Sequence, residues 1–154
     1  MGLFSNIKDA KRSEAGTYLS TGLHKLKVNR VKSGTNWRKK KYFVVECQVV
    51  ESSNEEEHPV GSTADWYVNL DSEYPDISLA DVKHFLQVAI FATYAEQGEQ
   101  FEGSETPDEV SITEETAEEA CGEEQPFIGL ILKAEGSRKE GKKFVKVGWS
   151  PPED

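Results

Sequence analysis

Three stretches of alternating apolar and polar residues come first in this chain, then one stretch with a helical repeat, then two more strand-like runs. That order leaves few folds open. In residues 23–32, Leu26 and Val28 alternate with Lys25, Lys27 and Asn29, which predicts a first strand. Residues 42–51 predict a second, with Phe43, Val45, Cys47 and Val49 on the core face and Tyr42, Val44, Glu46 and Gln48 on the other. Residues 63–71 predict a third, placing Trp66, Val68 and Leu70 inward and Asp65, Tyr67 and Asn69 outward. The period then lengthens. Leu79, Val82, Phe85, Leu86, Ala89, Ile90 and Thr93 form one stripe of a helix opened by a capping-box-like pair, Ser78 and Asp81. After Pro126, residues 127–134 and 142–149 predict two strands joined by a glycine- and charge-rich turn, with Trp149 on an inward face.

Three strands, a helix and two strands is the order of a mainly β fold, the five-stranded OB-like Greek-key barrel with its helix between strands 3 and 4. An open α+β sheet of five strands has the same order. The expected division is an N-terminal arm at 1–16, one domain at 17–150 and a short tail at 151–154. The arm carries Leu3, Phe4 and Ile7 as a short amphipathic helix or a frayed end.

Charge is sorted along this frame. Residues 1–48 hold 11 Lys/Arg and 3 Asp/Glu, net +8; residues 49–126 hold 1 and 21, net −20; residues 127–154 hold 6 and 4, net +2. Self-repulsion among the carboxylates predicts that about 95–125 is an extended, wet insertion, with a short acidic helix starting near Ser111 and ending near Gly122. The overall net charge of −10 would argue against a nucleic-acid partner, but it conceals two basic stretches beside aromatic residues.

Enzyme signatures are missing: the chain has no phosphate loop, dinucleotide turn, nucleophile elbow or zinc motif. Two cysteines, Cys47 and Cys121, and three scattered histidines do not make a metal set or predict a disulfide, and no cofactor is expected. His24 and His84 read as surface residues. The first residues lack a signal-peptide core and no run is long enough to span a membrane, so the expectation is a soluble, cytoplasmic protein.

The first basic stretch is Arg38, Lys39, Lys40 and Lys41, flanked by Trp37 and Tyr42 at a turn-to-strand junction. The second is the tip of the last hairpin, with Arg138, Lys139, Lys142, Lys143 and Phe144. In an OB barrel the first-to-second and fourth-to-fifth strand loops flank the oligonucleotide cleft, and both stretches fall on those loops. Arg30 and Lys32 of the first strand and Tyr67 of the third complete the expected DNA-binding set. Basic groups would neutralise phosphates, and rings would stack on bases with little sequence preference.

With these stretches assembled, the chain resembles a family of small bacteriophage proteins described as single-stranded-DNA-binding. The likeness includes Met1-Gly2-Leu3-Phe4, Gly22-Leu23-His24, Lys41-Tyr42-Phe43-Val44-Val45-Glu46 and Pro59-Val60-Gly61-Ser62 leading into Trp66. It continues through Val82-Lys83-His84-Phe85-Leu86 and Lys143-Phe144-Val145-Lys146-Val147-Gly148-Trp149-Ser150-Pro151. The resemblance implies an OB-type fold, single-strand binding without catalysis, and phage replication or recombination proteins as partners in the host cytoplasm. Such proteins commonly finish in a longer acidic tail used for recruitment; with only Glu153 and Asp154 after Pro152, that recruitment role is not expected from the resemblance, unless the acidic insertion substitutes for it. Two other readings compete. One is a protein-interaction module or DNA mimic acting through the acidic surface, for instance against a host factor. The other is a metal-dependent nuclease.

Overall fold

The computed structural model describes residues 18–35, 38–71, 75–96, 106–138 and 145–152. The structure is mainly β. Five strands, β1 (Gly22–Thr35), β2 (Lys41–Ser52), β3 (Thr63–Asn69), β4 (Ile131–Ser137) and β5 (Lys146–Ser150), form one antiparallel sheet in the order β3-β2-β1-β4-β5. The helix expected after the third strand is α1 (Pro75–Glu96), and a shorter α2 (Glu114–Ala120) precedes β4. The sheet is open: β3 and β5 are its two edges and share no ladder. The expected arm helix and the hairpin tip at 139–144 lie outside the described residues.

Alternation explains the inner face. Leu26, Val28, Phe43, Val45, Cys47, Ala64, Trp66, Val68, Leu132 and Trp149 are buried against Val82, Phe85, Leu86 and Ala89 of α1. Phe85, fully buried, lies at the centre of the rings, 6.0 Å from Phe43, 5.7 Å from Trp66, 6.4 Å from Phe127 and 4.9 Å from Trp149 between centroids. Most of these pairs are edge-to-face, the arrangement that ring quadrupoles favour.

Several boundaries differ from the sequence expectation, each for a local reason. The helix begins at Pro75, three residues before Ser78, because proline suits the first helical turn, where no N–H partner is needed. Leu79 is exposed, while Gln87 and Val88 are buried. A second layer buries Gln87: its amide donates to the carbonyls of Asp108 (3.2 Å) and Val110 (2.9 Å), holding the 3₁₀ turn Pro107–Glu109 against the helix. The second half of the acidic stretch is therefore folded. Val110 and Ala120 are buried and Ile112, Ala117 and Cys121 pack on the core, while Glu114, Glu115, Glu118 and Glu119 stay in solvent. Thr113 caps α2, accepting from the Thr116 N–H, where Ser111 had been expected to start it.

The fourth strand begins at Ile131, four residues later than its apolar run suggested. Residues 127–130 turn instead, through Gly129 at φ +87°. The edge of β1 they leave is satisfied by a side chain. Gln125 accepts from the Val31 N–H (2.8 Å) and donates to the Val31 carbonyl (2.9 Å), copying a strand neighbour.

His24 is buried, correcting its reading as a surface residue; it shares the phase of Leu26 and Val28. His24 and the fully buried His58 meet edge-on at 5.0 Å and grip one residue between them. The Ser20 N–H donates to His58 Nε2 (2.9 Å), and the Ser20 carbonyl lies 3.0 Å from His24 Nε2. Burial, then His24, holds the His58 pKa below its ordinary value, so its ring stays a neutral acceptor. The Ser20 carbonyl also presses on Gly136 where any side chain would overlap it. Residues 18–20 are thus pinned between the two ends of the open sheet.

Candidate nucleic-acid interface

On the outer face of β2 and β3 the same alternation that buries Phe43 and Trp66 presents Tyr42 and Tyr67. Their rings stack 5.6 Å apart at 13°, nearly parallel. Tyr42 lies over Gly34 of β1, where a Cβ would sit 3.2 Å from its hydroxyl oxygen, so a side chain there would push the ring by a few tenths of an ångström. A third ring continues the row: Tyr18 is 6.2 Å from Tyr67, tilted by 57°. Tyr18 is 64% exposed and Tyr67 39%. Tyr18 had not been singled out in the sequence. It is placed by a parallel bridge to Asp65 and by the Leu19 N–H donating to the Asp65 carbonyl (2.9 Å).

The loop after β1 brings Arg38, Lys39, Lys40 and Lys41, all exposed, to the end of this face beside Tyr42. Lys39 adopts a left-handed backbone (φ 62°), and the Asp71 carboxylate accepts from the Lys41 N–H at 2.6 Å, which fixes the loop onto the end of β3. Trp37 lies outside the described residues. Arg30 is exposed on β1 and Lys32 half-buried, but Lys32 is bound to Glu46 of β2 at 2.9 Å, so part of its charge is already matched.

Two carboxylates interrupt the face. Glu46 stands directly opposite Asp65, and the outward-pointing Asp65 carbonyl makes this a non-hydrogen-bonded pair, the geometry with the closer side chains. Burial first, then Glu46, raises the Asp65 pKa to about 6. Burial likewise pushes the Cys47 thiol up, with Asp65 and Glu46 adding to it, so Cys47 fills core and is no nucleophile. Both cysteines are free thiols.

Arg138, the described residue of the second basic stretch, does not join the first along the sheet. Gly136 pairs with Gly22 at the start of β1, whereas Lys41 pairs with Thr35 at its end, so Arg138 lies at the far end of that strand from Lys41. Arg138 is exposed, and its attraction is a lesser cause, after a hydrogen bond with the Ser20 side chain, of the lowered Glu57 pKa. Lys139, Lys142, Lys143 and Phe144 lie outside the described residues. The expected convergence of two basic loops on one cleft therefore reduces, among the described residues, to one basic loop beside a row of tyrosines.

Between the edges of β3 and β5 lies a cleft of about 480 Å³ lined by Tyr18, Leu19, Asp65, Tyr67, Val145 and Val147, with Trp66 and Asn69 at its wall. Among the described residues, no group of three or more His, Cys, Asp or Glu is arranged to hold a metal ion, and no helix is long and apolar enough to cross a membrane. Comparison of the chain with protein-family models and with curated proteins gives no match.

Proposed function

We propose that the chain is a non-catalytic single-stranded-DNA-binding protein of phage replication or recombination, acting in the host cytoplasm. The observation that carries this reading is the parallel pair Tyr42 and Tyr67, presented to solvent on β2 and β3 beside four consecutive basic residues. Rings stacked outside a core offer flat faces to bases, and a basic loop next to them gathers phosphates. The strand order supports an OB-like Greek-key arrangement. A five-stranded OB barrel opened along its β3–β5 seam has the order β3-β2-β1-β4-β5, and its ligand face is the outside of strands 2 and 3.

Fluorescence titration with oligo-dT at several salt concentrations tests the reading. Arg30 and Arg38 to Lys41 offer five cations, for which log K should fall with log salt at a slope near about −3.5. A flat salt response, or no binding, overturns it. A second reading is favoured by α2, a folded helix whose exposed side is almost wholly glutamate: a protein-interaction module or DNA mimic. Reversing Glu114, Glu115, Glu118 and Glu119 to Lys would then abolish function while Lys39→Glu left it intact.

A further inference from the structure

The cleft at the open seam has a property that the strand pattern makes visible. Backbone groups along an antiparallel strand point alternately to either side. Leu19 bonds the Asp65 carbonyl from outside the sheet, so Tyr67 and Asn69, in the same phase, also turn their N–H and C=O groups away from β2. Among the described residues, neither pair of groups has a partner. They face the gap toward Val145 and Val147, at the point where the row Tyr42, Tyr67, Tyr18 ends.

Tyr67 and Asn69 span only three residues of edge, the short limit of the usual strand length of about 3–10 residues, so another strand gains little there. They suit a smaller ligand edge carrying one donor next to one acceptor. Every nucleobase has such an edge, together with a flat apolar face. The volume falls within the range of small-molecule pockets, about 300–1,000 Å³, and the lining includes the exposed ring of Tyr18 for the face, with the apolar side chains of Val145 and Val147.

We propose that this cleft is a base-binding position at the end of the tyrosine row, where one nucleobase leaves the stacked track across Tyr18 and seats between β3 and β5, its edge meeting the outward-facing backbone groups of Tyr67 and Asn69. The inference rests on the single-strand reading and adds to it a fixed end point for the bound strand. Because all four bases offer a donor–acceptor pair, the position is occupied with little sequence preference.

The test is photocrosslinking of the full chain to oligo-dT carrying one 5-iodouracil, moved along the oligonucleotide, with crosslinks mapped by mass spectrometry. Binding of the same oligonucleotides is measured alongside. Iodouracil at one end of the site should crosslink to Tyr18, and at inner positions to Tyr42 or Tyr67. Tyr18→Ala should weaken binding about tenfold, the loss of one stacked base, and erase the end crosslink, while Tyr18→Phe restores both. Salt-dependent binding with crosslinks at Tyr42 and Tyr67 alone, and Tyr18→Ala binding as the parent does, overturns the cleft and leaves the single-strand reading standing. No binding by the parent chain overturns both. Concentration-dependent dimerisation relieved by Tyr18→Ala would assign the open edge to a second copy of the chain instead.

Discussion

The inner and outer faces of β2 and β3 are built by the same residues in alternation, yet they use their rings in opposite ways. Inside, Phe43 and Trp66 meet at 81° and Phe85 and Trp149 at 73°, closing volume by edge-to-face contact. Outside, Tyr42 and Tyr67 lie within 13° of parallel, with Tyr18 beyond them. An edge-to-face cluster uses up its ring faces in packing. In the outer row, Tyr42 and Tyr67 cover each other only on their facing sides, and Tyr18 beyond them is largely exposed. The contrast separates rings that hold the fold from rings left at the surface.

Truncation on the two faces should break the molecule in different ways. Phe85→Ala removes the ring at the centre of four aromatic contacts and should cost about 3–5 kcal/mol, enough to unfold much of the population in a urea titration. Oligo-dT binding should fall only in step with the folded fraction. Tyr67→Ala, on the outer face, should leave the urea midpoint within about 1 kcal/mol of the parent and yet weaken oligo-dT binding by about 1–3 kcal/mol. If the two variants lose stability and binding in the same proportion, the division of labour between the faces is wrong.

The smallest effect sharpens the electrostatics of the outer face. Asp65 holds its proton more tightly folded than unfolded, with its pKa raised from 3.8 to about 6. The folded state therefore binds more protons between those values, and stability falls as pH rises through that window. Asp65→Asn should gain about 1–2 kcal/mol at pH 8 and almost nothing at pH 3, as read by thermal melts across pH. On the proposed function it should also tighten oligo-dT binding at pH 8, since one negative charge leaves the face beside Tyr67.

Much of the architecture could be read from periodicity. The two-residue repeat assigned Phe43, Val45 and Trp66 inward and Tyr67 outward, and the helical repeat found α1, because local geometry alone fixes which side chains share a face. What failed was whatever depended on a neighbour distant in sequence. Gln87, outside the apolar stripe, is buried because the turn at 107–109 covers its side of α1. His24 looked like surface because its partners, Ser20, Ser52 and His58, come from three separate segments. The acidic stretch at 95–125 looked extended and wet because its 12 carboxylates outweigh Val110, Ile112, Ala117 and Ala120, which are buried or packed on the core while the glutamates of α2 stay wet.

The candidate site divides along the same line. Arg38 to Lys41 and the outward Tyr42 and Tyr67 are properties of single segments, and the sequence by itself determined them. Tyr18 at the end of the row, Glu46 facing Asp65, Lys32 already committed to Glu46, and Arg138 at the far end of β1 were decided only by tertiary structure. Register is the physical reason. Alternation says which way a side chain points, but only the pairing of whole strands says what stands beside it.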